Sequence, residues 1–219
     1  MVFHLPMFVP DEGVVVDRIR AVDTYELLRT VHYARRVPSI THAFGLIVDG
    51  DLEGVVTFGT PPSSTLLRGI AGEGWAESVL ELNRLVLRNN RKHDASLLVG
   101  RALRLLPRPT VVVSFADTGQ DHVGIVYQAT NFWYTGLSAR FVDPRVRGLE
   151  GQHHATYAHG MTNEEVVEKY GADNVEWVER SRKHRYIRFM GARGLRRRFL
   201  TDLRYPILPY PIAENRKVR

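Results

Sequence analysis

Between residues 110 and 136 the chain changes its pattern three times, and no other stretch restricts its fold as strongly. Thr110–Phe115 is a short, β-branched apolar run of the kind that forms a buried strand. A polar turn follows (Ala116-Asp117-Thr118-Gly119-Gln120-Asp121), then a short helical pattern through Ala129, then Asn131 and a second strand rich in aromatics, Phe132-Trp133-Tyr134. The order strand, polar loop, short helix, strand sets the expected fold, and the polar residues inside it set the expected chemistry.

The remaining elements extend this pattern. Val14–Ile19 reads as a strand. Thr24–Val31 reads as a helix with Asp23 or Thr24 at its N-cap and Tyr25, Leu27, Leu28 and Val31 as its apolar stripe. Phe44–Val48 and Leu52–Phe58 form a hairpin about Asp49-Gly50-Asp51. Gly59–Gly72 is a loop with room for a brief helix, and Val79–Leu87 a strand with a break near Arg84. Ala95–Leu106 is a helix with Leu97, Leu98, Ala102, Leu105 and Leu106 at helical spacing, stopped by Pro107. Thr162–Tyr170 is a capped helix ended by Gly171. The expected architecture is α/β, a mixed central sheet flanked by helices, with residues 1–140 as the core and 141–219 as a basic C-terminal extension packed on it.

Composition narrows the function. The chain of 219 residues has no cysteine, which excludes disulfides, thiolate metal sites and a cysteine nucleophile. No apolar run approaches the roughly 18 residues of a membrane span. Met1–Pro10 is apolar but lacks a basic flank and meets Asp11-Glu12, so the expectation is a soluble cytoplasmic protein without a signal peptide. Thirty Lys and Arg stand against 24 Asp and Glu. Nine of the basic residues fall between Arg180 and Arg198 with no acid among them, including Arg182, Lys183, Arg185, Arg196, Arg197 and Arg198. Arginine's planar fork suits phosphate oxygens, so double-stranded DNA is the expected partner, with Arg35 and Arg36 as further contacts. The bland alternative is a solvated basic face, or arginines paired with acids elsewhere.

The start of the Ala95 helix offers unpaired amides and a favourable dipole for an anion, with Asn90, Arg91, Lys92, His93 and Ser96 around it. Strand, short helix and Val126-Tyr127-Gln-Ala-Thr-Asn131-Phe132 resemble the cofactor cleft of GNAT-type N-acetyltransferases, whose signature is Tyr-x-x-x-Gly-Phe; here Asn131 replaces the glycine. The resemblance implies an acyl-CoA whose pyrophosphate sits at that helix start, although the usual glycine-rich turn is absent. It also places Tyr127 at the thioester sulfur, where a phenol can protonate a leaving thiolate; the alternative is a core tyrosine bonded to backbone.

A longer set of motifs resembles the bacteriophage Mom family over roughly residues 25–210: His32-Tyr33 with Arg35, Leu80-Glu-Leu-Asn-Arg-Leu85, Ser114-Phe-Ala-Asp117, His122-x-Gly124, Tyr127 to Phe132, Tyr134-x-Gly136, Arg185-Tyr186 and Tyr205-Pro206. That resemblance implies a phage DNA-modifying enzyme of the host cytoplasm. Such an enzyme would transfer an acetyl-CoA-derived group to N6 of adenine, a carbamoylmethylation that shields DNA from restriction. It implies catalytic roles for Tyr33, Asp117 and Tyr127, and cofactor contacts from Arg84, Lys92, Ser96 and Asn131. It further implies iron held by His32, Tyr33, Asp117 and Tyr127, or, alternatively, a hydrogen-bonded network of these residues that positions adenine. Adenine must leave the stack to react, and Phe132-Trp133-Tyr134 offers aromatic faces. An ordinary acetyltransferase of a protein or small amine, and a non-catalytic DNA-binding relative of the same fold, are the rival expectations. His153, His154 and His159 read as a surface or DNA-facing cluster.

Overall fold

Asp49 and Gly50 both sit at positive φ, 52° and 94°, the two-residue turn whose twist suits a β-hairpin. It fixes the register of β2 (His42–Val48) against β3 (Asp51–Gly59), with Val48 opposite Asp51. In this computed structural model residues 13–212 are described, apart from Gly151, His153 and His159 and the side chains of His154 and Ala155. The Met1–Pro10 run, His153, His159 and the side chain of His154 therefore lie outside the described residues.

β1 (Val14–Ile19) pairs antiparallel with β2, and β3 pairs antiparallel with β4 (Val79–Leu87). β4 then runs parallel to β5 (Thr110–Asp117). With β6 (Trp133–Leu137) and β9 (Lys183–Met190) the sheet has seven strands in the order β1-β2-β3-β4-β5-β9-β6. β7 (Val142–Val146) and β8 (Val175–Glu179) form a separate antiparallel ribbon. The helices are α1 (Tyr25–Thr30), α2 (Ser64–Ala71), α3 (Glu73–Ala76), α4 (Asp94–Leu105), α5 (Ile125–Ala129), α6 (His154–Tyr157), α7 (Asn163–Tyr170) and α8 (Arg193–Asp202). The mixed α/β sheet expected from the sequence is what the chain forms. No helix among the described residues is long and apolar enough to cross a membrane.

Local signals account for most of the helix ends. Thr162 accepts from the Glu165 amide while the Glu165 carboxylate accepts from the Thr162 amide, a capping box at the start of α7. Ser63 caps α2 through the Leu66 amide, inside the segment expected to be mainly loop. Neither expected cap of α1 operates: Asp23 turns back to Arg20, and the Thr24 hydroxyl donates to the Ala21 carbonyl. On α4 the buried face is Leu98, Val99, Ala102 and Leu103, whereas Leu105, expected in the core, is exposed.

By internal contacts the chain groups into two units. One comprises the described residues up to Phe115, then Gly124–Gly136, then those from Arg185 onward; the other comprises Ala116–Val123 and Leu137–His184. In the first, Ile70, Trp75, Val111, Val113, Ile187, Phe189 and Phe199 form one core cluster, and Leu27, Leu28, Val55 and Val86 another. The second is organised around Val146, Ala158 and Val166. Seven Lys and Arg face ten Asp and Glu across the second unit's sequence, so the basic excess of the tail belongs to the residues from Arg185 on.

Phe199 shows how α8 is held. It is fully buried, 5.3 Å from the Trp75 ring and 5.2 Å from that of Phe189. Arg196, Arg197 and Arg198 on the same helix are exposed. Phe199→Ala should lower the unfolding free energy by about 3–5 kcal/mol, and Arg197→Ala should change it by less than about 0.5 kcal/mol; guanidinium titration of the two variants measures both.

Candidate active site

The site begins where a ladder stops. β4 and β5 pair in parallel only at Val79↔Val111, Leu80↔Val112 and Glu81↔Val113. Beyond that point the Ser114 hydroxyl donates to the Leu82 carbonyl at 2.9 Å. The next residue, Asn83, is a bulge: Phe58 pairs with Leu82 and Thr57 with Arg84, leaving Asn83 without a partner across the ladder. Its side chain accepts from the Thr57 hydroxyl at 2.6 Å and donates to the Ser39 carbonyl at 2.8 Å. The break expected near Arg84 is this bulge, and Asn83's own amide is committed to holding it.

Tyr127 is buried on α5, where Ser114 is a polar neighbour that works against the effect of burial on its phenol. Burial pushes the Tyr127 pKa up to about 12. The helix that carries Tyr127 begins at Gly124, φ +72°, where an added Cβ would meet the Tyr186 ring. It ends in a Schellman cap: Phe132 N–H donates to Tyr127 O (3.0 Å), Asn131 N–H to Gln128 O (3.1 Å), and Asn131 takes φ +59°. The Asn that replaces the family glycine thus fills the left-handed position that asparagine tolerates best after glycine.

His32, Tyr33 and Arg84 gather on the same side of the first unit. The His32 and Tyr33 rings stack at 4.5 Å, His32 8% exposed and Tyr33 63%; only the phenol reaches solvent. His32 Nδ1 accepts from the Ala34 amide at 3.0 Å. Burial, aided by the Arg84 charge, holds its pKa down at about 4, so the ring is neutral at pH 7. Arg84 Nη1 donates to the Asn83 carbonyl at 2.5 Å, while its Nε is buried with no partner. Burial and then the Arg36 cation lower the Arg84 pKa, and Tyr33 and Glu81 work against them. Tyr33 and Glu81 also act on Tyr127. Of the residues expected at the centre, His32, Tyr33, Arg84 and Tyr127 therefore share one electrostatic neighbourhood.

Asp117 belongs to the second unit, at the parity of β5 opposite to Ser114, and its carboxylate accepts from the Gly119 amide at 2.9 Å, capping a short 3-10 turn. Among the described residues no group of three or more His, Cys, Asp or Glu is placed to hold a metal. His32 is the one imidazole of the expected set, one of its nitrogens is used by Ala34, and a guanidinium is its charged neighbour. Such a donor set does not fit iron, which is drawn to imidazole with carboxylate.

α4 begins at His93, φ +76°, with no side-chain cap. The Asp94 carboxylate, which would repel an anion there, is turned to Arg91 at 3.0 Å. Ser96 spends its hydroxyl on the His93 carbonyl at 2.9 Å, and Lys92 is exposed. Beside this turn lies a cavity of about 320 Å³ lined by His93, Ser96, Gly100, Arg104, Asn131 and Arg188 among others. These donors fit a phosphorylated ligand. Arg104 and Arg188 were not distinguished in the sequence; Arg188 is one of nine in a stripe, and only the placement of β9 sets it apart.

The stripe is not one face. Arg182 Nε donates to the Ser138 carbonyl at 2.8 Å. Arg185 holds Thr135 through Nε (3.0 Å) and Nη2 (2.8 Å) and lies 3.5 Å over the Tyr205 ring. Lys183 is half-buried, whereas Arg35, Arg36, Arg196, Arg197 and Arg198 are exposed. Arg196 sits over Trp133 at 5.2 Å, and Arg198 reaches Asp202 at 3.8 Å.

A neutral buried His32 has a consequence for stability. Its folded pKa lies below that of the unfolded chain, about 6.5, so the unfolded state binds the proton first. The stabilisation is complete above that value and is lost as pH falls toward 4. The His32 ring signals in NMR should titrate near pH 4, and His32→Gln should flatten the fall in stability across that window.

With this geometry in place, comparison with known proteins is informative. Solved structures similar to the chain include yncA from Salmonella typhimurium with its cofactor acetyl-CoA, at TM-score 0.45 and 10% identity, covering 81% of this chain and 94% of that one. An acetyltransferase of the GNAT family from Streptococcus pneumoniae follows, at TM-score 0.43 and 12% identity over 81% and 99%. Likeness this low leaves the fold to rest on the strand order above. In sequence, the methylcarbamoylase mom of Escherichia phage Mu is 29% identical over 195 residues, 84% of this chain and 78% of the phage protein. The Mom protein family matches residues 13–212, and the chain belongs to that family.

Proposed function

We propose that this protein modifies DNA: it transfers an acetyl-CoA-derived group to N6 of adenine in double-stranded DNA, a carbamoylmethylation that protects the DNA from restriction. The observation that carries the reading is family membership across residues 13–212, supported by the β4–β5 pairing that stops at Glu81↔Val113, close in sequence to Ser114 and Arg84. The name of the phage Mu relative, a methylcarbamoylase, agrees with it.

The chain's own residues suggest a division of labour. Arg84, half-buried with an unpaired Nε, offers a cationic donor to a carbonyl or phosphate oxygen. The exposed Tyr33 phenol, stacked on His32, offers a face and a hydroxyl to a flipped base. Tyr127 is a hydrogen-bond donor in this reading. A phenol held near 12 gives up its proton reluctantly to a thiolate whose ordinary pKa is about 8.5, so full transfer runs uphill. Asp117 enters through the resemblance as a catalytic carboxylate. Lys92, Ser96 and Asn131 would border the cofactor. No step is assigned to iron, for which the donor set is wrong. The exposed Arg35, Arg36, Arg196, Arg197 and Arg198 supply phosphate contacts, and Arg182, Lys183 and Arg185 are further basic candidates.

Expression in bacteria followed by digestion of plasmid DNA to nucleosides and mass spectrometry should reveal a modified deoxyadenosine; unmodified deoxyadenosine alone would refute the proposal. Tyr127→Phe and Asp117→Asn, the latter keeping an oxygen to accept from Gly119, should each lower modification at least about tenfold, as loss of one positioned donor or acid does, with DNA affinity unchanged. Arg196, Arg197 and Arg198 changed together to Ala should weaken DNA binding and reduce the slope of log K against log salt by up to about 2.7, roughly 0.9 for each phosphate contact. A slope equal to that of the parent chain would place the DNA elsewhere.

A further inference from the structure

Arg188 lies on β9, and its guanidinium is only half used. Nη1 donates to the Asn131 carbonyl at 2.5 Å, and Nε is buried with no partner. A guanidinium nitrogen left this way is costly unless something supplies the missing acceptor. Arg188 lines the cavity of about 320 Å³ together with Arg104, and no carboxylate residue is among those that line it. Arg108 and Arg196 add positive charge near Arg188. The cavity is thus lined by cationic groups with no carboxylate to balance them, an arrangement suited to an anion.

Its place along α4 indicates which anion. Ser96, beside the uncapped helix start, and Arg104 both line the cavity, about 12 Å apart along the axis at 1.5 Å per residue. Long side chains on a helix lean toward its N-terminus, which brings the Arg104 guanidinium over the turn of Gly100. Gly100 leaves that turn open: an added Cβ would meet nothing closer than Thr130 Cγ2 at 3.9 Å. Two anion-binding points therefore lie about one to two turns apart, with Leu97 and Leu103 as apolar wall between them. A ligand with two phosphate groups on one ribose and a flat base to lay on leucine matches this arrangement. A duplex, with bases turned inward and phosphates on a convex surface, matches it poorly.

We propose that Arg188 and Arg104 bind the 3′-phosphate of coenzyme A, and that this grip replaces the glycine-rich turn that the chain lacks. The proposal rests on the reading that the protein uses acetyl-CoA. The pyrophosphate takes the amides at the start of α4, and the 3′-phosphate accepts from Arg188 Nη2 and from Arg104.

Calorimetric titration of the full chain with coenzyme A and with 3′-dephospho-coenzyme A tests it. The dephospho form should bind about tenfold or more weakly, the effect of one charge-assisted phosphate contact. Arg188→Met, and separately Arg104→Gln on the exposed side, should bring coenzyme A down toward the dephospho affinity while leaving the dephospho form unchanged. Equal affinities of the parent chain for the two ligands would overturn this subsite and leave the acetyl-CoA reading standing. Failure of both ligands to bind would overturn the two together. Variants that discriminate like the parent but lose affinity for duplex DNA would assign the arginines to the DNA backbone and overturn the proposal. The comparison of the two ligands on the unaltered protein does not depend on any variant folding.

Discussion

The interaction on which the site depends is the single proton of Ser114. At the end of the parallel ladder of β4 and β5 the Ser114 hydroxyl donates to the Leu82 carbonyl. Ser114 lies one residue past the last β4–β5 pair, and it is also a polar neighbour of the buried Tyr127 phenol. A buried phenol needs a polar partner, and α5 carries this one. The Schellman cap at Asn131 and the close approach of Gly124 to Tyr186 hold the two ends of the same short helix. Five residues of helix carry little stability of their own; their position comes from these contacts.

Charge is distributed unevenly, for a physical reason. Guanidinium groups that face inward find carbonyls: Arg182 on Ser138, Arg185 on Thr135, Arg188 on Asn131. Those on α8 remain in water, since the helix is anchored by buried Phe199 and by Asp202, which accepts from Trp75 Nε1 at 2.8 Å, while its arginines are exposed. The run of nine basic residues thus divides: Arg182, Arg185 and Arg188 are committed to carbonyls and Arg180 to Asp143, while the four arginines of α8 are exposed. Counting charges along the chain does not make this division; the change of period from two to 3.6 between Met190 and Arg193 does.

Much of the fold was legible. The Asp49-Gly50 turn, the Thr162–Glu165 box, the bounds of β1 and β4 and the start of β5 follow from turn chemistry, capping and apolar runs. α3 was not, because four residues give no period to detect. Leu105 was misplaced because its spacing fits a helix face that the sheet does not cover. In the site, the Tyr127 to Phe132 motif announced itself, and the structure supplies its meaning as a cap. The pairing of Asn83 with Thr57 and Ser39 was not visible, since it joins residues 26 and 44 positions apart. Arg84 and Arg188 could be listed as basic but not recognised as buried with an idle nitrogen, a property that belongs to packing and not to composition.

The strand order has one further consequence, for biosynthesis. β9 stands between β5 and β6 in the sheet, yet it is made some fifty residues after β6. At ribosomal rates of about 5–20 residues per second, the two outer neighbours wait roughly 3–10 s for the strand that joins them. During that interval β5 presents an open apolar edge and Tyr127 has no Tyr186 to rest on. The cleft is therefore among the last parts of the nascent chain to mature, and a chain cut short before Met190 would leave the ribosome with an unfinished sheet and an adhesive edge.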